Sequence, residues 1–176
     1  MKTYRFGIKA KPFYLTVLVA TLLLLLSYQA IASMFGIPKK ENVHLTPAVN
    51  GRVTLNGQPL SNLEVIYSLT YGDEHKLTAR TDEQGYFSFP EKVIESNLPS
   101  KLFDETRVFQ EIFVEWNNQN YTLWYTVLPG ITSEKVVEEK LAKLECDLTH
   151  PEKEYHFDRQ DGTDFTQGVF SICNFE

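Results

Sequence analysis

Val108-Phe109-Gln110-Glu111-Ile112-Phe113-Val114-Glu115-Trp116 and Tyr121-Thr122-Leu123-Trp124-Tyr125-Thr126-Val127-Leu128 flank the polar run Asn117-Asn118-Gln119-Asn120. Val108, Ile112, Val114 and Trp116 fall in one alternate set of the first arm, the period of a strand with one buried face. A hairpin closed by a four-residue loop sets Val114 against Leu123 and Ile112 against Tyr125 on one side. On the other side it sets Phe113 against Trp124, with Phe109 near Leu128. Two long arms of this kind commit the domain to β structure.

The same period continues on both sides. Arg52–Leu55 is a short strand closed by the turn signal Asn56-Gly57. Leu63, Val65, Tyr67 and Leu69 alternate along a second strand, Lys76–Thr81 forms a third, and Tyr86–Phe89 a fourth that Pro90 ends by removing a ladder donor. Residues 91–106, with Pro99 among them, read as a long loop. Ser133–Ala142 is the one stretch with helical character, and Leu144, Cys146 and Leu148 alternate with Glu145 and Asp147 as the chain passes into a strand. Tyr155–Phe157 and Gly168–Phe175 are the last strand candidates. The expected fold is therefore mainly β, an antiparallel sandwich with one short helix.

Charge divides the chain unevenly. The whole carries 17 basic and 23 acidic residues, for a net charge of −6. Four of the basic residues (Lys2, Arg5, Lys9 and Lys11) fall in the first 32 positions, which hold no acid. Residues 33–176 thus set 13 basic side chains against 23 acidic ones, about −10. An acidic domain without a basic cluster excludes nucleic acid as an expected partner.

Behind the basic N-terminus, Phe13–Ile37 is free of formal charge and contains five consecutive leucines, Leu22–Leu26. Two readings compete. As a signal anchor, residues 13–37 are long enough to cross a bilayer, and the charge asymmetry keeps the N-terminus inside. As a cleaved signal, Leu15–Leu26 is the apolar region and Ala30-Ile31-Ala32 the small-residue exit, leaving Ser33 first. Either places the remaining chain across the inner membrane in the periplasm. Initiation at Met34 is a third possibility and would leave the protein in the cytoplasm. The expected organisation is an export segment over 1–37, a polar linker over 38–48 and a sandwich over 49–176.

Within Val49–Pro90 lie Gly51-Arg52-Val53, Asn56-Gly57-Gln58-Pro59-Leu60, Leu63-Glu64-Val65 and Thr81-Asp82-Glu83-Gln84-Gly85-Tyr86-Phe87-Ser88-Phe89. This pattern resembles carboxypeptidase-regulatory-like and transthyretin-like domains, and the resemblance implies a prealbumin-like β-sandwich. Pro59 fixes a turn after Gly57, Val65 points to the core, and Thr81-Asp82 with Gly85 makes a tight turn before an aromatic strand. Over roughly residues 34–176 the chain is similar to an uncharacterised bacterial family, domain of unknown function 6795. The similarity is carried by Met34-Phe35-Gly36, Leu123-Trp124-Tyr125, Leu144–Leu148 and Ile172-Cys173-Asn174, and it implies no activity.

Candidate chemistry is sparse. Transthyretin-like folds include a hydrolase of 5-hydroxyisourate, but its Tyr-Arg-Gly-Ser end has no counterpart in Ile172–Glu176. His150, Glu152, Glu154 and His156 would share one face of a regular strand. Such neighbours lie about 6–7 Å apart, so one strand cannot wrap them around a single ion, and Pro151 breaks the regularity. Cys146 and His150 lack the orienting partner and oxyanion donors that a nucleophile and base require. Pairing Cys146 with Cys173 as a disulfide suits an exported domain, while two free buried thiols would accompany a start at Met34. Phe109, Phe113 and Trp124, together with Glu111, Glu115, Thr122 and Thr126, form a surface candidate, a platform for a protein or glycan partner. The alternative is that the helix or the last strand covers this face. The chain is thus expected to be a non-enzymatic, membrane-tethered module without metal or cofactor. A purely structural, self-assembling domain is the competing expectation.

Overall fold

The computed structural model describes residues 14, 16–24, 39–101, 104, 106–160 and 162–175. The chain divides into two units, Met1–Pro38 and Lys39–Glu176. In the first, Tyr14 and residues 16–24 are helical. Among the described residues no helix is long and apolar enough to cross a membrane. The rest of the expected export segment Phe13–Ile37, the exit at Ala32 and Met34 lie outside the described residues.

The second unit is mainly β. Its strands are β1 (Glu41–Thr46), β2 (Val49–Leu55), β3 (Gln58–Pro59), β4 (Glu64–Tyr71), β5 (Asp73–Arg80), β6 (Tyr86–Phe89), β7 (Lys92–Ser96), β8 (Val108–Trp116) and β9 (Gln119–Leu128). After the helix α1 (Lys135–Leu141) come β10 (Leu144–Asp147), β11 (Lys153–Asp158), β12 (Thr166–Ser171) and β13 (Cys173–Asn174). Six of these form an antiparallel sheet in the order β11-β12-β9-β8-β4-β5. A second sheet runs β13-β10-β2, with β3 and β6 both paired to the far side of β2. Within it β10 lies parallel to β2, so the sandwich is mixed rather than wholly antiparallel. The helix α1 immediately precedes β10, as expected of a chain entering a sheet by a crossover rather than a hairpin.

The two sheets share one core. Val49, Val53, Phe87, Phe89, Leu144 and Cys146 from the second sheet join Val65, Tyr67, Leu69, Ile112, Val114, Leu123 and Trp124 from the first. Tyr67 and Phe89 meet with ring centroids 5.4 Å apart. The Thr81–Gly85 turn is fixed as its sequence predicts. Asp82 Oδ1 accepts the amides of Gln84 and Tyr86, and the Thr81 hydroxyl donates to Leu60 O while accepting the amide of Leu63. Gly85 has φ +82, and a Cβ there would lie 2.5 Å from Val53 O, so only glycine fits.

Two expected stretches are different in the structure. The linker 38–48 contains β1, whose Val43, Leu45 and Thr46 are fully buried. The expected loop 91–106 contains β7, which pairs with β1 as a separate antiparallel ribbon. Side chains of the large sheet clip β1 in place: Tyr67 donates to Thr46 Oγ1 at 2.7 Å and Gln110 Nε2 donates to Leu45 O at 2.7 Å. Buried hydrogen bonds of this kind hold a strand whose own sequence is short and half polar.

Candidate functional site

The β8–β9 hairpin turns on two residues, not four. Asn117 and Asn118 have φ of 51° and 62°, the pair of positive values that a two-residue type I′ turn requires. Trp116 therefore pairs with Gln119, Val114 with Tyr121 and Phe113 with Thr122. A bulge follows, after which Ile112 pairs with Trp124 and Glu111 with Tyr125. One extra residue on β9 lets two consecutive side chains, Leu123 and Trp124, both enter the core. Trp124 is fully buried, and its indole donates to Gln110 Oε1 at 3.1 Å. The expected platform of Phe109, Phe113 and Trp124 is thereby corrected, because Trp124 belongs to the opposite face from the other two.

Phe109 and Phe113 stay on the outer face, Phe109 at 42% exposure and Phe113 half-buried. The aromatic neighbours that sequence reasoning missed come from the chain's end. Phe170 of β12 is 39% exposed, pairs with Tyr125, and lies with its ring 6.2 Å from the Tyr125 ring. Phe165, just before β12, is 73% exposed. Among the described residues, Phe170↔Tyr125 is the one ladder pair between β12 and β9. Elsewhere side chains stitch the strands: Thr126 Oγ1 donates to Gly168 O, Gln167 Nε2 to Val127 O, and Ser171 Oγ to Leu123 O. Beside this seam opens a groove of about 550 Å³, lined by Tyr125, Val127, Pro129, Arg159, Phe165 and Phe170 among others.

The charges on the same face follow a pattern. One row crosses the sheet from Glu154 through Phe170, Tyr125, Glu111 and Ser68 to Lys76. Lys76 is paired with Glu74 at 3.4 Å and Arg80 with Glu64 at 3.0 Å. Arg159, at the groove's edge, is bound to Glu134 at 2.7 Å. Glu111 and Glu115 are exposed, and among the described residues neither carboxylate has a hydrogen bond or an ion pair.

A second polar feature sits in the smaller sheet and has a different character. Asp147, 8% exposed, accepts from Thr54 Oγ1 (2.7 Å), Asn56 N (3.1 Å), Gly57 N (2.7 Å), Thr149 N (3.0 Å) and Thr149 Oγ1 (2.6 Å). Burial alone would raise its pKa, but these hydrogen bonds outweigh burial and hold the carboxyl well below the usual carboxylate range. With its acceptor positions filled, Asp147 is an anchor for the Asn56-Gly57 turn rather than a base or a metal ligand. Next to it Cys146 and Cys173 face one another across β10 and β13, Cα atoms 4.0 Å apart, and are joined as a disulfide.

His150 and Glu152 lie before β11, whereas Glu154 and His156 lie on it and pair with each other at 3.3 Å. The four do not converge. Among the described residues no group of three or more His, Cys, Asp or Glu is arranged to hold a metal ion.

Fold and surface together define a mainly β, sandwich-like domain with a disulfide-distance cysteine pair and an aromatic outer face. Residues 49–151 match the family model of DUF6795, a domain of unknown function, and the chain belongs to that family. The matched span runs from the start of β2 to just before β11, so the strands carrying Cys173 and Phe170 lie outside it. No curated protein and no solved structure matches the chain.

Proposed function

We propose that the protein is a non-enzymatic binding module of the cell envelope, tethered to the inner membrane by residues 13–37, which presents its sandwich in the periplasm. The observation that carries this reading is the outer face of the six-stranded sheet, where Phe109, Phe165 and Phe170 are exposed beside a groove of about 550 Å³. Concentrated aromatic exposure on a small domain marks an interaction site rather than ordinary surface. The tether is supported by the charge-free stretch behind four basic residues. A prealbumin-like topology is supported by the Asn56-Gly57 and Asp82–Gly85 turns and by the pairing of β2 with β6.

The binding reading is tested by placing a photo-crosslinking amino acid at Phe170, or at Glu145 on the other sheet, in cells that produce the full chain. A discrete adduct from position 170 and none from 145 is the expected result. Identical adduct patterns from both positions would overturn it. Fractionation with N-terminal sequencing tests the tether: Met1 retained in the membrane is expected, Ser33 exposed after cleavage replaces the anchor by a signal peptide, and a cytoplasmic protein starting at Met34 overturns export.

A further inference from the structure

We infer that the partner of this face is a cationic segment of another protein, an extended chain whose every second residue is in turn apolar, basic and apolar, and whose basic group seats at Glu111. The inference rests on the binding reading above and adds the chemistry of the occupant. Phe109, Glu111 and Phe113 are alternate residues of β8 and point outward together, ring, carboxylate, ring. Same-face neighbours on a strand lie about 6–7 Å apart, which is also the spacing of alternate side chains in an extended segment laid along it. Such a segment would set apolar groups over the two phenylalanines and a lysine or arginine over Glu111.

The remaining neighbours of Glu111 suit a cation. On β9 its register partner is Tyr125, which in turn pairs with Phe170, so Glu111 has Phe109 and Phe113 beside it along β8 and Tyr125 beside it across the ladder. Rings beside a carboxylate attract an ammonium or guanidinium group through both the quadrupole and the charge. Three cations near this face, Lys76, Arg80 and Arg159, are already bound by Glu74, Glu64 and Glu134. Glu111 and Glu115 are left uncompensated, and residues 33–176 as a whole stand at about −10. The complementarity is therefore local as well as general, and steers a basic partner toward the domain. On the groove side, Phe165, Phe170 and Val127 extend the apolar contact beyond the β8 row.

The test is a fluorescence-anisotropy titration of the full chain, held in non-ionic detergent, with labelled peptides. One repeats Leu-Ser-Lys-Ser, which sets leucine and lysine in turn on one face of an extended chain; its two counterparts replace lysine by glutamate or by serine. Saturable binding of the lysine peptide is expected. Glu111→Gln should weaken it by about two- to fivefold, the size of one exposed charge and ring contact, and Phe109→Ala by a similar factor. Glu145→Gln, which removes the same charge from the other sheet, should leave affinity unchanged, and an unaltered thermal midpoint verifies that each variant is folded. Equal weakening by Glu111→Gln and Glu145→Gln overturns the inference, since diffuse attraction then explains the binding. Equal affinity for the serine peptide, lost in Phe109→Ala but not in Glu111→Gln, overturns the cation and keeps the binding face. Binding of an N-acetylglucosamine oligomer in place of the lysine peptide overturns it in favour of a glycan. If no probe binds, the inference fails; a position-170 adduct would show that the face itself still has a partner, and its absence that both readings fail.

Discussion

The two faces of the β8–β9 hairpin share one backbone and differ in almost everything else. Inward, Ile112, Val114, Leu123 and Trp124 are fully buried, and the polar groups among them are paired, Trp124 with Gln110 and Gln110 with Leu45. Outward, Phe109 and Phe113 alternate with Glu111 and Glu115, Tyr125 lies opposite Glu111, and the two carboxylates have no ion pair or hydrogen bond among the described residues. The inner face holds the domain together and ties β1 to it. The outer face leaves Phe109, Glu111 and Glu115 exposed. A single inserted residue at the bulge puts Trp124, one of the hairpin's two tryptophans, on the inner side.

The sharpest way to break this contrast is to truncate one ring on each side. Trp124→Ala removes a fully buried indole and strands Gln110, and should cost about 4 kcal/mol of stability. Phe170→Ala, on the outer face, should cost under about 1 kcal/mol. Denaturant unfolding followed by far-UV circular dichroism measures both, and comparable losses would erase the distinction between the faces.

Next in size is the disulfide. Cys146 and Cys173 are 27 residues apart, and loop closure of that length contributes about 3–4 kcal/mol in the chain-entropy model. Replacing both by serine should lower the unfolding midpoint accordingly and loosen β13, whose neighbour Phe175 packs on Trp124 at 5.9 Å. The inner face would feel this loss; the Phe109–Phe113 row should not.

Asp147 gives a smaller effect with a definite pH signature. Asp147→Asn removes the charge-assisted bonds to Asn56, Gly57, Thr54 and Thr149, and should cost about 2 kcal/mol at neutral pH. Because the folded carboxyl titrates below its unfolded value near 3.9, its stabilisation is complete above that value. It fades as pH falls from about 4 downward. The variant should therefore lose stability less steeply than the parent between pH 4 and 2, as read by urea unfolding across that range.

Much of the smaller sheet is legible in the sequence. The Asn56-Gly57 turn, the Asp82–Gly85 turn and the strand Tyr86–Phe89 all carry residues with local reasons to turn or extend, and the cysteine pairing follows from two short strand candidates. Strand β1 is not legible in this way, since Glu41-Asn42-Val43-His44-Leu45-Thr46 has only two apolar side chains and its partner β7 is about fifty residues away. The hairpin register is obscured because four polar residues hide a two-residue turn. The bulge leaves one trace, the break in alternation at Leu123-Trp124-Tyr125. Phe170 gives no local signal of its exposure. The alternating sets Thr166-Gly168-Phe170 and Gln167-Val169-Ser171 hold one large apolar residue each, and only the pairing of β12 with β9 decides which set faces out.

Hydroxyl-radical footprinting of the full chain, with and without the lysine peptide, addresses the division of the two faces most directly. Fast oxidation of Phe165, Phe170 and Phe109, with Trp124 protected, is the predicted result, and the peptide should slow Phe109 and Phe170 alone. Oxidation of Trp124 as fast as that of Phe170, or slowing spread evenly over both sheets, would contradict the account.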